Sequence, residues 1–143
     1  MEFSHKPVLF SETIESLRVR PGGTYIDGTV GGGGHSEAIL RGLMGQGRLL
    51  CIDQDPDAIA AAGQRLSGYD NVSVVRGNFG RIAELAAENG VDAADGILLD
   101  IGVSSHQLDD PDRGFSYHQD APLDMRMSQE GESAWDLVNR LPE

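Results

Sequence analysis

The stretch DGTVGGGGHS, residues 27–36, sets four consecutive glycines between Asp-Gly-Thr and His-Ser. It follows directly on the apolar run TYID (24–27). It leads into HSEAILRGLM (35–44), where Ala38, Ile39 and Leu43 share one helical face. Strand, glycine turn and helix in that order open a βαβ unit. Glycine in such a turn permits positive φ and lets a bound group approach the backbone with no Cβ in the way. The amides of the helix N-terminus can then meet a polar or anionic group. Taken alone, the run fits a plain turn as well as a ligand loop. The dinucleotide fingerprint G-x-G-x-x-G is matched by Gly31 and Gly33 but ends on Ser36, and the lysine of a P-loop is missing.

Three further apolar runs have strand length: RLLCID (48–53), VSVV (72–75) and GILLD (96–100). Each is nearly continuous in apolar residues, as expected of strands covered on both faces. Helical segments separate them. Asp55-Pro56 opens one as N-cap and first helical residue, and RIAELAAENG (81–90) closes on Gly90. A further helix is expected near residues 11–19. The tail 109–129 reads as a long loop, and 133–141 as a short helix capped by Ser133. The βαβαβαβ pattern predicts an α/β fold with a parallel sheet and right-handed crossovers. In such sheets ligands sit beyond the carboxyl ends of the strands.

Those strand ends carry polar and aromatic residues. RLLCID ends on Asp53, suited to accept hydrogen bonds from ribose hydroxyls. Asp55 fits the capping role better, which leaves Asp53 for a ligand. The third run leads to Phe79, suited either to cover a purine face or to pack in the core. The fourth delivers Asp100, either to the cleft or to cap the next loop. Glycines, Asp53, Phe79 and Asp100 together suggest a cleft for an adenosine with a polar tail.

Composition bounds the rest. The 143 residues suit one ordinary domain. The single cysteine, Cys51, excludes an internal disulfide and suits a reducing cytoplasm. Neither a signal peptide nor a membrane-length apolar run is recognisable. The net charge of −12 is a poor match to nucleic acid. Asp109, Asp110 and Asp112 lack EF-hand spacing and the four histidines lack zinc spacing, so no metal is expected.

Five blocks carry a family resemblance: HKPVLFSETI (5–14), YIDGTVGGGGHSEAIL (25–40), IDQDPDAI (52–59), DGILLDIGVSSHQLDDPDRGFSY (95–117) and PLDMRM (122–127). Together they resemble the ribosomal RNA small-subunit methyltransferase H family, also called MraW, over nearly the whole chain. The resemblance implies a Rossmann-like class I methyltransferase that uses S-adenosylmethionine (SAM). It implies a partial parallel sheet in the order 3-2-1-4 and methylation of a cytidine N4 in 16S rRNA, free or in the small ribosomal subunit. The family's cofactor positions fall on Gly33, Gly34, His35, Asp53, Phe79, Asp100 and Gln107. Asp100, Ser104 and Ser105 stand where related amino-methyltransferases build the target-base pocket. Arg113 and Arg126 are candidates for phosphate contacts, and Phe115 and Tyr117 for base stacking.

Two departures from the family pattern are Ile101, where many members have Leu, and His106, where many have Pro. Family members are about twice as long and carry a helical insertion after PLDMRM. This divides the chain into 1–108, the first part of the SAM-binding domain, and 109–143, a loop and the start of that insertion. The missing part is then the candidate RNA grip despite the charge of −12. Competing readings are a SAM-binding module without turnover, a nicotinamide-dependent oxidoreductase, and a half-sheet that dimerises through its exposed fourth strand.

Overall fold

In the computed structural model the described residues are 9–142; His5 to Val8 of the first resembling block lie outside them. The described residues form two compact units, 9–101 and 102–142.

In the first unit, α1 (Phe10–Leu17) precedes β1 (Thr24–Asp27), α2 (Gly34–Leu43), β2 (Arg48–Asp53), α3 (Pro56–Arg65), β3 (Val72–Arg76), α4 (Ile82–Glu88) and β4 (Gly96–Leu98). The strands are all parallel, in the order β3-β2-β1-β4. Every expected strand is present. The fourth is shorter than expected, because the ladder to β1 ends at Leu98 and leaves Leu99 and Asp100 beyond it.

The continuous apolar runs arise from alternation between two buried faces. On one face Leu49 and Cys51 of β2 pack with Tyr25 of β1, Ile39, Leu40 and Leu43 of α2, and Ala62 and Leu66. On the other, Leu50 and Ile52 pack with Ile26, Leu85, Ala86 and Val91. Each buried Leu or Ile contributes about 1.5–3 kcal/mol, so β2, with four fully buried apolar residues, anchors the sheet. The edges are less protected. β4 pairs only with β1 among the described residues, and Ile97 is 52% exposed.

Local signals set the helix starts. Asp55 accepts from the Asp57 amide at 3.0 Å with Pro56 at the first position, as expected. A 3₁₀ turn, Phe79–Arg81, precedes α4. It is capped by Asn78, which accepts from the Gly80 amide.

The second unit holds α5 (Ser105–Asp109), a 3₁₀ turn (Pro111–Arg113) and α6 (Ala134–Arg140). Ser133 caps α6 as expected. Gln107 lies on α5, a helix not expected from the sequence, which Ser104 and Gln107 open with a capping box. Between the helices the chain folds on itself. Arg113 is buried and donates to the carbonyls of Arg126 and Met127, at 3.3 and 3.1 Å. Arg126 pairs with Asp124 at 2.6 Å. Tyr117 is fully exposed beside His118.

Candidate cofactor site at the carboxyl edge of the sheet

Parallel pairing brings the strand ends to one edge. Asp27 lies opposite Cys51 and Leu98, and Asp53 opposite Arg76. The glycine loop leaves β1 at this edge and is laced to its neighbours. The Gly28 amide donates to the Leu98 carbonyl at 2.9 Å, Val30 to Ile52 at 2.9 Å, and Gly31 to the Asp53 carboxylate at 2.9 Å. A Cβ on Gly28 would lie 2.5 Å from Leu99 and 3.4 Å from Phe79. The loop's start is therefore the place where β3 and β4 bring their side chains together.

Gly33 ends the loop as N-cap of α2, with φ +79°. A Cβ there would meet Arg65 at 3.3 Å and Ala62 at 3.6 Å. The backbone angle thus favours glycine, and a Cβ would also press on the Arg65 side chain. From outside, Arg65 donates to the Gly32 carbonyl at 3.3 Å and to Glu37 at 2.8 Å, and Glu37 also receives Arg41 at 2.6 Å. Gly34 and His35 form the first turn of α2, where backbone amides lack intrahelical acceptors.

His35 is buried, at 6% exposure, and its ring stacks on Phe10 of α1 with centroids 5.2 Å apart. Its Nε2 has no hydrogen-bond partner among the described residues. Burial lowers its pKa and the Asp100 carboxylate partly opposes this, so the imidazole is held neutral. Asp53 is half-buried at the end of β2. It accepts from the amides of Gly31 and Asp55, and burial raises its pKa against those bonds. Asp100 is exposed, and its amide donates to the Thr29 hydroxyl at 2.7 Å.

Beneath the loop lies a buried chain that sequence reasoning missed. Ser36 donates to Asp27 at 2.6 Å and stands 3.1 Å from the Cys51 sulfur. Asp27 also accepts from the Thr29 amide. Burial foremost, with the nearby Asp53 and Asp100 carboxylates, raises the Asp27 pKa to about 6. Burial also pushes the Cys51 thiol strongly upward. The signal for this chain, Asp27 opposite Cys51, exists only once the strand register is known.

Gly33, Gly34, His35, Asp53, Phe79 and Asp100 thus all belong to the first unit and cluster at its carboxyl edge. Gln107, Ser104 and Ser105 belong to the second unit. There the Ser104 hydroxyl accepts from the Gln107 amide, and the Gln107 side chain accepts from the Ser104 amide, both at 3.1 Å. No group of three or more potential metal ligands gathers among the described residues.

A parallel sheet in the order 3-2-1-4, with a glycine loop at its carboxyl edge, is the Rossmann-like partial sheet found in class I SAM-dependent methyltransferases. The structure of NSun6 from Pyrococcus horikoshii with SFG matches it with a TM-score of 0.55 and 23% identity, over 68% of this chain and 24% of that one. Residues 2–143 match the model of the MraW methylase family, and the chain belongs to that family. It is 60% identical to ribosomal RNA small subunit methyltransferase H of Symbiobacterium thermophilum, over 90% of this chain and 41% of that protein. It is 56% identical to the protein of the same name from Heliobacterium modesticaldum, over the whole chain and 47% of that protein. The chain therefore spans less than half the length of these relatives.

Proposed function

We propose that this chain is the cofactor-binding part of a SAM-dependent methyltransferase that modifies a cytidine N4 in 16S rRNA, free or within the small ribosomal subunit. One observation carries the cofactor assignment: the glycine loop, a buried histidine whose Nε2 has no partner among the described residues, and Asp53 converge at one sheet edge. A buried polar atom without a partner costs about 1–3 kcal/mol, which a ligand group at His35 would offset. The donor set suits SAM. Asp53 accepts from the ribose hydroxyls, Phe79 covers the adenine, and His35 with the Gly34 amide meets the amino-acid end, while Gly33, whose amide donates to the Val30 carbonyl at 2.8 Å, shapes the turn. Gln107 is assigned to the same cofactor. The three carboxylates Asp27, Asp53 and Asp100 at this edge favour a cationic ligand and disfavour the pyrophosphate of a nicotinamide dinucleotide.

When bound, SAM supplies a methyl carbon activated by its sulfonium. The residues must align the target nitrogen with it, which is a positioning task, and accept the proton the nitrogen sheds. Asp100, exposed and beside the loop, is assigned that second role. Ser104 and Ser105 are assigned to the base pocket, through their backbone or hydroxyls. Residues 109–143 are read as a loop and the start of the family's helical insertion, and the protein as cytoplasmic. Among the described residues no helix is long and apolar enough to cross a membrane.

Calorimetry with SAM and with NAD tests the cofactor, and transfer of the SAM methyl group to small-subunit RNA, with release of S-adenosylhomocysteine, tests the reaction. Binding of NAD in preference to SAM would overturn the assignment. Asp100→Asn and Ser104→Ala, made in a chain of the relatives' full length, test the catalytic roles. Unchanged turnover with unchanged cofactor affinity would remove them. A second reading is a SAM-binding module without turnover, which the RNA methylation assay separates from the first. β4 pairs only with β1 among the described residues, and the exposure of Ile97 and Leu99 favours self-association, which size-exclusion chromatography tests.

A further inference from the structure

Helix α1 contributes no buried residue to the core, and its N-terminus has no side-chain cap. A helix of eight residues is marginal by itself, so what it packs against determines where it lies. Ile14 and Leu17 lean on the cluster that includes Ile39 and Leu43 of α2. One turn beyond them, Phe10 lays its ring on His35, nearly parallel at 20°. The stacked ring restrains one imidazole face and leaves Nε2 buried without a partner among the described residues.

We propose that Phe10 is a positioning residue: its ring fixes the His35 imidazole so that Nε2 meets the polar amino-acid end of the cofactor. This rests on the SAM reading above for the identity of the ligand, but the placement of the ring can be tested without one. An aromatic face suits the task because a flat ring restrains the imidazole tilt, whereas an aliphatic chain of similar volume fills space without setting an angle. If Phe10 served only as packing, any apolar residue of similar size would replace it.

The test uses Phe10→Leu, which keeps apolar volume, and Phe10→Trp, which keeps a flat face. The His35 ring protons are followed by NMR in the ligand-free chain, assigned with His35→Gln. Affinity for S-adenosylhomocysteine is measured by calorimetry in the presence and absence of His35→Ala. Phe10→Leu is expected to move the His35 resonances downfield as the ring current is lost. It is expected to weaken binding about three- to tenfold, the range of an aromatic pair. Phe10→Trp restores both, and in the His35→Ala background Phe10→Leu has no further effect.

Unmoved resonances, or an equal loss of affinity in both backgrounds, would overturn the proposal. If the wild-type chain fails to bind S-adenosylhomocysteine, the cofactor reading falls and the proposed ligand role of Phe10 falls with it. The resonances then decide only whether Phe10 places the ring.

Discussion

Asp27 lies fully buried under the glycine loop, with the Ser36 hydroxyl and the Thr29 amide as donors and no cation against it among the described residues. Its pKa of about 6, against an ordinary 3.8, makes folding proton-linked. Between these two values the folded chain holds a proton that the unfolded chain has released, so stability falls as pH rises through the window. The whole effect is about 3 kcal/mol, of which about 1 kcal/mol lies between about pH 5 and pH 7.

Asp27→Asn removes this linkage while keeping the shape. Ser36 can turn its hydroxyl toward Cys51 and accept from the new amide, since the two atoms already stand 3.1 Å apart. Urea unfolding of both proteins across this range is the assay. The variant should gain on the wild type by about 1 kcal/mol on going from about pH 5 to pH 7. Subtracting the two curves cancels the surface carboxylates, such as Asp95 and Asp124, whose pKa values their hydrogen bonds and arginine partners lower. A flat difference, or one of opposite sign, would refute the claim that burial dominates the charge state of Asp27.

Gly33→Ala should cost about 1–3 kcal/mol of stability through its positive φ and its contact with Arg65, seen as a lower urea midpoint at unchanged slope. Asp53→Ala should weaken SAM binding about tenfold or more in calorimetry, because ribose hydroxyls would lose a charged acceptor. Arg65→Ala should change stability by less than about 1 kcal/mol, since the ion pair with Glu37 is solvent-exposed on the arginine side. The same variant should loosen the loop at the Gly32 carbonyl, read as faster amide exchange at residues 31–34.

How much of this could be read from residues alone depended on the range of the forces involved. The runs TYID, RLLCID, VSVV and GILLD announced a buried parallel sheet because strands covered on both faces leave few polar positions between their ends. Asp55-Pro56 and Ser133 announced helix starts because capping acts within three residues. The capping box Ser104–Gln107 was legible by the same rule, yet the five-residue helix it opens was not expected, being too short to show a periodic apolar face.

Strand-end chemistry, from the glycines through Asp53 and Phe79 to Asp100, was also present in the order of the chain. Contacts across the chain were not. Cys51 faces Asp27 only through the β1–β2 register, Arg65 reaches Glu37 across 28 residues, and Phe10 finds His35 only when α1 docks on α2. Local periodicity and turn chemistry therefore specified which elements form and what arrives at the sheet edge. Packing specified which of those groups touch and, by excluding water from Asp27 and His35, what charge each one carries.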